Sequence, residues 1–280
     1  MYENRPLLFC IPHAGGSAAA FQGWGASLGD AWDVKPLELP GRGRRSREPL
    51  CEDIQQAARD LAERLSSVAE GQPFAIMGHS LGGTLAYETQ KVLHSRAMPR
   101  ARGIIVAGSP PPGRPRHPAI SEEASDDELL RALLHLGGVT SDLLESDLIS
   151  GHYAPIVRAD LRMYSRYRVE RPLYTMDCPL LVLLGGSDPL TAPGDSLLWR
   201  ELANAGVTTR LIVGAGHFLL DTHRGDAATA IAAFLASTQP ASVERRSSGS
   251  AAKQAAASDL RAPIVDAGGN DVSTVASAGA

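Results

Sequence analysis

The sequence predicts an α/β fold: a mostly parallel sheet flanked by helices, interrupted by an all-helical insertion. Three observations carry that prediction. Short apolar runs bounded by Gly and Pro recur along the chain, separated by stretches of helical period. Between Pro110 and Cys178 the apolar runs stop and only helical patterns remain. They resume at Leu180 and continue to the last helix.

In order, the expected strands are Leu7–Ile11, Val34–Leu39, Phe74–Met77, Gly103–Ala107, Leu180–Leu184 and Thr209–Val213. Each is too short for a helix and reads as a strand buried on both faces. Between the second and third, Glu52–Val68 places Ile54, Ala57, Ala58, Leu61, Leu65 and Val68 on one helical face. Leu81–Ser95 follows the third strand with helical period, and Asp226–Ala236 is the final helix. The insertion spans about residues 112–175. It opens with prolines at 110, 111, 112, 115 and 118, which break regular structure. Ser125 and Glu128 then form a capping-box signature ahead of Leu129, Leu130, Leu133, Leu134 and Leu136. Leu143–Ile149 and Pro155–Tyr167 read as two further helices, and the segment is expected to lie as a lid over the sheet edge. The α/β domain thus runs from residue 1 to 238. Residues 239–280, rich in Ala, Ser and Gly, read as a disordered low-complexity tail.

Composition narrows the function classes. With 280 residues, 44% of them hydrophobic, the chain can bury a sizeable core. A net charge of −4 argues against a general polyanion binder, so no nucleic acid is expected. No signal peptide is expected, since Met1–Pro6 is not a basic segment leading into a long apolar stretch, and no apolar run approaches the length of a membrane span. The three cysteines, Cys10, Cys51 and Cys178, are far apart and odd in number, which fits reduced thiols in a cytoplasmic protein. No pair of histidines or cysteines has metal-ligand spacing, and no glycine-rich phosphate loop occurs, so neither a metal nor a nucleotide cofactor is expected. Nothing requires more than a monomer.

The pattern Gly-x-Ser-x-Gly occurs twice, and context separates the copies. Gly78-His79-Ser80-Leu81-Gly82 follows an apolar run and precedes a helical one, the strand–turn–helix setting of a nucleophile elbow. Gly25–Gly29 has no strand before it, so Ser27 reads as a helix-end or loop serine. Asp188 follows the Leu180–Leu184 strand, and His217 follows Thr209–Val213. In open α/β sheets, catalytic groups collect at strand C-termini. The order Ser80, Asp188, His217 is that of the α/β-hydrolases. Asp195 and Asp221 are weaker candidates for the carboxylate, since neither directly follows a strand. A serine hydroxyl becomes a nucleophile only when a base takes its proton, here His217, held in its tautomer by Asp188. An oxyanion hole needs two backbone N–H groups. Leu81, after the nucleophile, is one candidate, and Ala14, in the glycine loop after the first strand, is the other.

Together, Pro12-His-Ala-Gly-Gly-Ser-Ala18, Leu39-Pro-Gly-Arg-Gly-Arg-Arg45, Gly78–Gly83, Gly185–Leu190 and Gly214–Leu220 resemble the type II thioesterases. These are stand-alone α/β-hydrolases serving polyketide synthases and nonribosomal peptide synthetases. The resemblance covers about Arg5 to Ala236. It implies hydrolysis of acyl groups held on the phosphopantetheine thiol of acyl or peptidyl carrier proteins, clearing stalled or aberrant units. Ala215 and Leu219 depart from the usual pattern around the histidine, which has two glycines before it and two aromatics after it. Carrier proteins are generally acidic and bear a phosphate, so the arginines of the second motif, Arg42, Arg44 and Arg45, with Arg47 just beyond it, are candidate carrier-docking residues. The alternative is a solvated loop whose arginines pair with Glu48, Glu52 and Asp53. His79 is a candidate pocket residue and His13 a candidate for shaping the glycine loop. Rival readings are a carboxylesterase or lipase of small esters, and an idle hydrolase fold that only binds carriers.

Overall fold

Six strands form one sheet: β1 (Leu7–Ile11), β2 (Asp33–Pro36), β3 (Phe74–His79), β4 (Ile104–Ala107), β5 (Leu180–Gly185) and β6 (Val207–Ile212). They lie in the order β2-β1-β3-β4-β5-β6, and every neighbouring pair is parallel. The computed structural model describes residues 5–114, 124–138 and 147–238. The expected tail lies outside the described residues.

The strands are apolar on both faces because both faces are covered. Leu7, Phe9 and Ile11 of β1, with Phe74 and Ile76 of β3, pack against helices α2 (Ile54–Ala69) and α3 (Leu81–Ser95). The alternate residues Leu8, Cys10, Ala75 and Met77 face short α1 (Trp24–Ser27) and the last helix, α8 (Arg224–Thr238). Asp53 caps α2 by accepting from the Gln56 N–H at 2.7 Å. The buried face of α2 is the expected one with two changes: Ala62 and Ala69 join it, and Val68 is exposed.

Apart from β1, the inner strands shift by one or two residues at one end, and the two outer strands shift at both ends for one reason. β2 and β6 are the sheet edges, where apolar residues need not be in the ladder. β2 ends at Pro36, Leu37 donates one last bond to the Cys10 carbonyl, and the chain turns away with Leu37 and Leu39 buried in a loop. β6 starts two residues earlier than expected and leaves Val213 84% exposed beyond its end.

The insertion contributes α4 (Asp126–Leu136) and α5 (Asp147–Arg166). The capping box at Ser125 is formed as expected. Pro155 was expected to start a separate helix, yet α5 runs through it without a break. The residues on either side of that proline explain this. Ala154 and Val157 are buried against Leu129 and Leu133 of α4, and this packing outweighs the lost backbone bond. The expected start of the earlier helix, at Leu143, lies outside the described residues. Beyond α5, the Tyr167 hydroxyl donates to the buried Glu88 carboxylate of α3 at 2.5 Å, which ties the insertion back to the core. Short helices α6 (Asp195–Arg200) and α7 (Leu219–Thr222) follow β5 and β6. All three cysteines are buried and unpaired. Among the described residues, no helix is long and apolar enough to cross a membrane.

Candidate active site

A parallel sheet gathers the loops after its strands along one edge. β1 leads into Pro12–Gly16, β3 into Ser80, β5 into Asp188 and β6 into His217. Ser80 stands between β3 and α3 with φ 53° and ψ −117°, a left-handed backbone that a residue with a Cβ rarely adopts. The turn is held from outside. Ser80 N–H donates to the Ala107 carbonyl of β4 at 2.8 Å, and Gly83 N–H donates to the Ser80 carbonyl at 2.9 Å. Tight packing makes room only for glycine here. A Cβ on Gly82 would sit 2.2 Å from the Ile11 carbonyl oxygen, and one on Gly78 would sit 2.0 Å from the Gly82 carbonyl oxygen. Both obstacles are backbone, which cannot swing aside. The other serine, Ser27, closes α1 and its hydroxyl donates back to the Gly23 carbonyl.

The three residues drawn from separate strand ends meet. His217 Nε2 lies 2.9 Å from Ser80 Oγ, and its Nδ1 lies 3.1 and 3.0 Å from the two Asp188 oxygens. A carboxylate can only accept, so Nδ1 carries the proton and Nε2 presents a lone pair to the serine hydroxyl. Asp188 is itself held by the Leu190 N–H at 2.8 Å and the Thr191 hydroxyl at 2.7 Å. Burial pushes the Asp188 carboxyl up. The hydrogen bond and charge of His217, with the Leu190 and Thr191 bonds, outweigh that and hold it below its ordinary value. Asp195 is committed elsewhere, to Arg114 and to the Ala192 N–H.

In the Pro12–Gly16 loop, Gly15 N–H donates to Asp160 at 2.7 Å and Gly16 N–H to the His13 carbonyl at 2.9 Å. Ala14 N–H takes no such partner among the described residues. The His13 N–H is likewise without such a partner, so the loop keeps two amides uncommitted, among them the Ala14 amide expected from the sequence to serve a substrate oxygen.

His79 is buried under His217 rather than lining a pocket, and its Nε2–H donates to the His217 carbonyl at 2.9 Å. His13 Nδ1–H donates to the Ala14 carbonyl at 2.9 Å, within the loop it was expected to shape. The two rings and Phe218 stack edge to face, with centroids 4.8–5.4 Å apart. Burial, and next the charges of neighbouring histidines, hold the His79 imidazole well below its ordinary value. Burial likewise lowers His13, against the opposing Ala14 bond. An unfolded chain would protonate both near pH ~6.5. The unfolded state therefore binds more protons below that pH, and stability falls as pH drops through it. The Asp188 carboxyl adds to the loss only below about pH 4. Wild-type protein should melt several degrees lower at pH 5.5 than at pH 7.5. His79→Gln, which keeps a donor for the His217 carbonyl, should shrink that difference. Equal melting temperatures for the wild type at the two pH values would contradict the assignment.

The arginine loop divides in two. Arg42 is 3% exposed and grips Asp160 of α5 with its two terminal guanidinium nitrogens, at 2.5 and 2.7 Å, while its buried Nε has no partner among the described residues. Arg45 is 7% exposed and pairs with Glu48 and Asp60, donating also to the Glu38 carbonyl at 3.0 Å. The docking expectation for Arg42 and Arg45 is therefore corrected: their forks are consumed inside the fold. The solvated-pairing alternative holds only for Arg45 with Glu48, since Asp60 and Asp160 supply the other partners. Arg44 and Arg47 are exposed.

Sequence reasoning missed Asp160, Thr191 and Gly108. Asp160 left a signal: it falls at helical spacing with Ala154, Val157 and Met163, all buried, as a lone carboxylate on an apolar stripe. Gly108 left none. Its φ of +54° and closeness to His217 and Asp188 exist only in three dimensions. Among the described residues, no three His, Cys, Asp or Glu side chains cluster as metal ligands would.

Comparison with known proteins agrees with this geometry. A family model described as "Thioesterase domain" matches residues 6–238. The probable cadicidin biosynthesis thioesterase of Streptomyces griseus is 32% identical over 229 residues, covering 81% of this chain and 62% of that protein. Among solved structures, ClbQ from the colibactin nonribosomal peptide and polyketide pathway superposes with a TM-score of 0.78 at 29% identity, covering 84% of this chain and 98% of that one. The RedJ thioesterase of the prodiginine pathway of Streptomyces coelicolor superposes with a TM-score of 0.74 at 33% identity, covering 84% and 90%. The sheet order, the sharp turn at Ser80 and the match over residues 6–238 agree: this chain has the α/β-hydrolase fold and belongs to the thioesterase domain family.

Proposed function

We propose that this protein is a type II thioesterase. It hydrolyses acyl groups from the phosphopantetheine thiol of acyl or peptidyl carrier proteins in polyketide or nonribosomal peptide biosynthesis, removing stalled or aberrant units. The observation that carries the mechanism is the relay from Ser80 Oγ to His217 Nε2 at 2.9 Å and from Nδ1 to Asp188 at 3.0 Å. Ser80 attacks the thioester carbonyl while His217 takes its proton. The oxyanion rests on the Leu81 and Ala14 amides. The C–S bond then breaks. A thiol of pKa near ~8.5 leaves with little help, and His217 returns the proton to it. Water, deprotonated by His217, attacks the acyl-serine, and the free acid departs as Ser80 regains its proton. The insertion at about 112–175 is the lid in this reading, and the protein is a cytoplasmic monomer whose buried thiols stay reduced.

Carrier docking falls to the exposed Arg44 and Arg47, the two members of the loop whose charge faces solvent. The test compares hydrolysis of an acetyl-carrier protein with that of a p-nitrophenyl ester at low salt. Thioester turnover should be the faster. Reversing both arginines to Glu should slow it about tenfold or more while sparing the ester. An enzyme that cleaves only the oxoester is a carboxylesterase. An unchanged carrier rate in the double variant would remove Arg44 and Arg47 from docking.

A further inference from the structure

We infer that the buried Arg42–Asp160 pair is a positioning device that arms the oxyanion loop only while helix α5 is seated on it. The inference rests on the Ala14 amide being an oxyanion donor. Asp160 is fully buried in the middle of α5, 118 residues from Arg42 in sequence. One of its oxygens accepts from both Arg42 at 2.5 Å and the Gly15 N–H at 2.7 Å. Its other oxygen accepts from Arg42 at 2.7 Å. Arg42 also donates to the Gly16 carbonyl at 3.3 Å. The two residues immediately after Ala14 are thus gripped, Gly15 at its N–H and Gly16 at its carbonyl, by a single ion pair.

Packing makes the same connection. Gly15 has φ +78°, and a Cβ there would lie 2.5 Å from a Val157 methyl carbon and 3.0 Å from the Tyr153 hydroxyl. The missing side chain lets α5 rest directly on the loop.

Stability alone gives no reason for such a pair. Taking two charges out of water costs about as much as their attraction returns, and apolar replacements are often neutral or better. What a bidentate pair provides and an apolar contact lacks is fixed geometry. An oxyanion donor is effective only when held where charge will develop. Arg42 and Asp160 touch no reacting atom. They act through the loop, and because Asp160 belongs to the insertion, lifting α5 would release Gly15 and let the Ala14 amide drift.

The experiment uses the Arg42→Leu/Asp160→Leu double variant of the full chain, which leaves no buried charge unpaired. Three readouts are taken: melting temperature, kcat and KM on an acyl-pantetheine thioester, and affinity for an acyl-pantetheine trifluoromethyl ketone, which adds Ser80 to form a tetrahedral oxyanion. The expected result is a folded protein with kcat lower by about 10²-fold, the usual loss for one oxyanion donor. KM should be nearly unchanged, and the ketone should bind more weakly by a similar factor. A folded double variant with wild-type kcat overturns the inference, as does a loss of kcat with undiminished ketone affinity. If the double variant does not fold, Arg42→Lys replaces it, keeping the charge but losing the fork. Its kcat should drop about tenfold, the worth of roughly one hydrogen bond, at constant KM, and wild-type kcat would overturn the inference. Ser80→Ala in the same assay separates the two readings. If it retains turnover, the site assignment itself is wrong. If it is dead while the double variant is fully active, only the clamp is wrong.

Discussion

Ser80→Ala should lower kcat by on the order of 10⁶-fold, leaving KM and fold nearly intact. In the proposed mechanism Ser80 supplies the attacking oxygen, and its Oγ lies 2.9 Å from His217 Nε2. The remaining serine in the same sequence pattern, Ser27, is bonded to its own helix at the Gly23 carbonyl. Alanine fits the site because the φ of 53° at Ser80 is imposed by the Ala107 and Gly83 hydrogen bonds, which involve only backbone. The substitution removes one hydroxyl and the single bond it makes to His217. Residual turnover would come from the oxyanion amides alone. The check is a burst experiment on an acyl-carrier thioester, with mass spectrometry for the acyl-enzyme. Wild-type protein should gain the acyl mass, and the variant should not. A variant that still acylates would remove Ser80 from the mechanism.

The second large effect is at Asp188. Asp188→Asn should reduce kcat by about 10⁴-fold with little change in structure. An amide is almost the shape of a carboxylate, and one oxygen can still accept from the Leu190 N–H or the Thr191 hydroxyl. The NH₂ group facing Nδ1, however, donates where the carboxylate accepted. His217 then carries its proton on Nε2, pointing at Ser80 Oγ, and can no longer take the serine proton. Nitrogen-15 NMR of His217 would show the tautomer exchange directly. Normal activity in a folded Asp188→Asn variant would mean another group orients the histidine. Asp195 cannot easily do so, bound as it is to Arg114 and the Ala192 N–H.

These effects exceed the others because they remove the reacting groups. The Arg42–Asp160 pair, on the inference above, would act one step away, through an Ala14 amide that would share the oxyanion with Leu81. The histidines at 13 and 79 act a step further off, through the backbone that carries Ala14 and His217.

Much of this site is visible in the chain itself, for a local reason. A buried parallel strand must be apolar on both faces, so β1, β3, β4 and β5 stand out in any reading of the pattern. A strand leading into a sharp turn and then a helix requires small residues at 78, 82 and 83, where any Cβ would meet a neighbour within 2.5 Å. Because the strands are parallel, the loops after them share one edge, and Ser80, Asp188 and His217 follow from position alone. Edge strands β2 and β6 were harder to bound, since an edge does not have to be apolar where it pairs. Pro155 misled because the burial of Ala154 and Val157 against α4 is not a local property.

The four arginines mark where such reading ends. In sequence they are one basic cluster, alike in type and spacing. In the folded protein Arg42 is sealed against Asp160, Arg45 against Glu48 and Asp60, and Arg44 and Arg47 face water. Residue types and their local order sufficed to find the sheet and the three candidate residues that meet at its edge, because strand, turn and helix are short-range choices. Which charges are buried depended on carboxylates brought in from other segments. A guanidinium leaves water only when a partner takes its place, and that partner, for Arg42, lies 118 residues further along the chain.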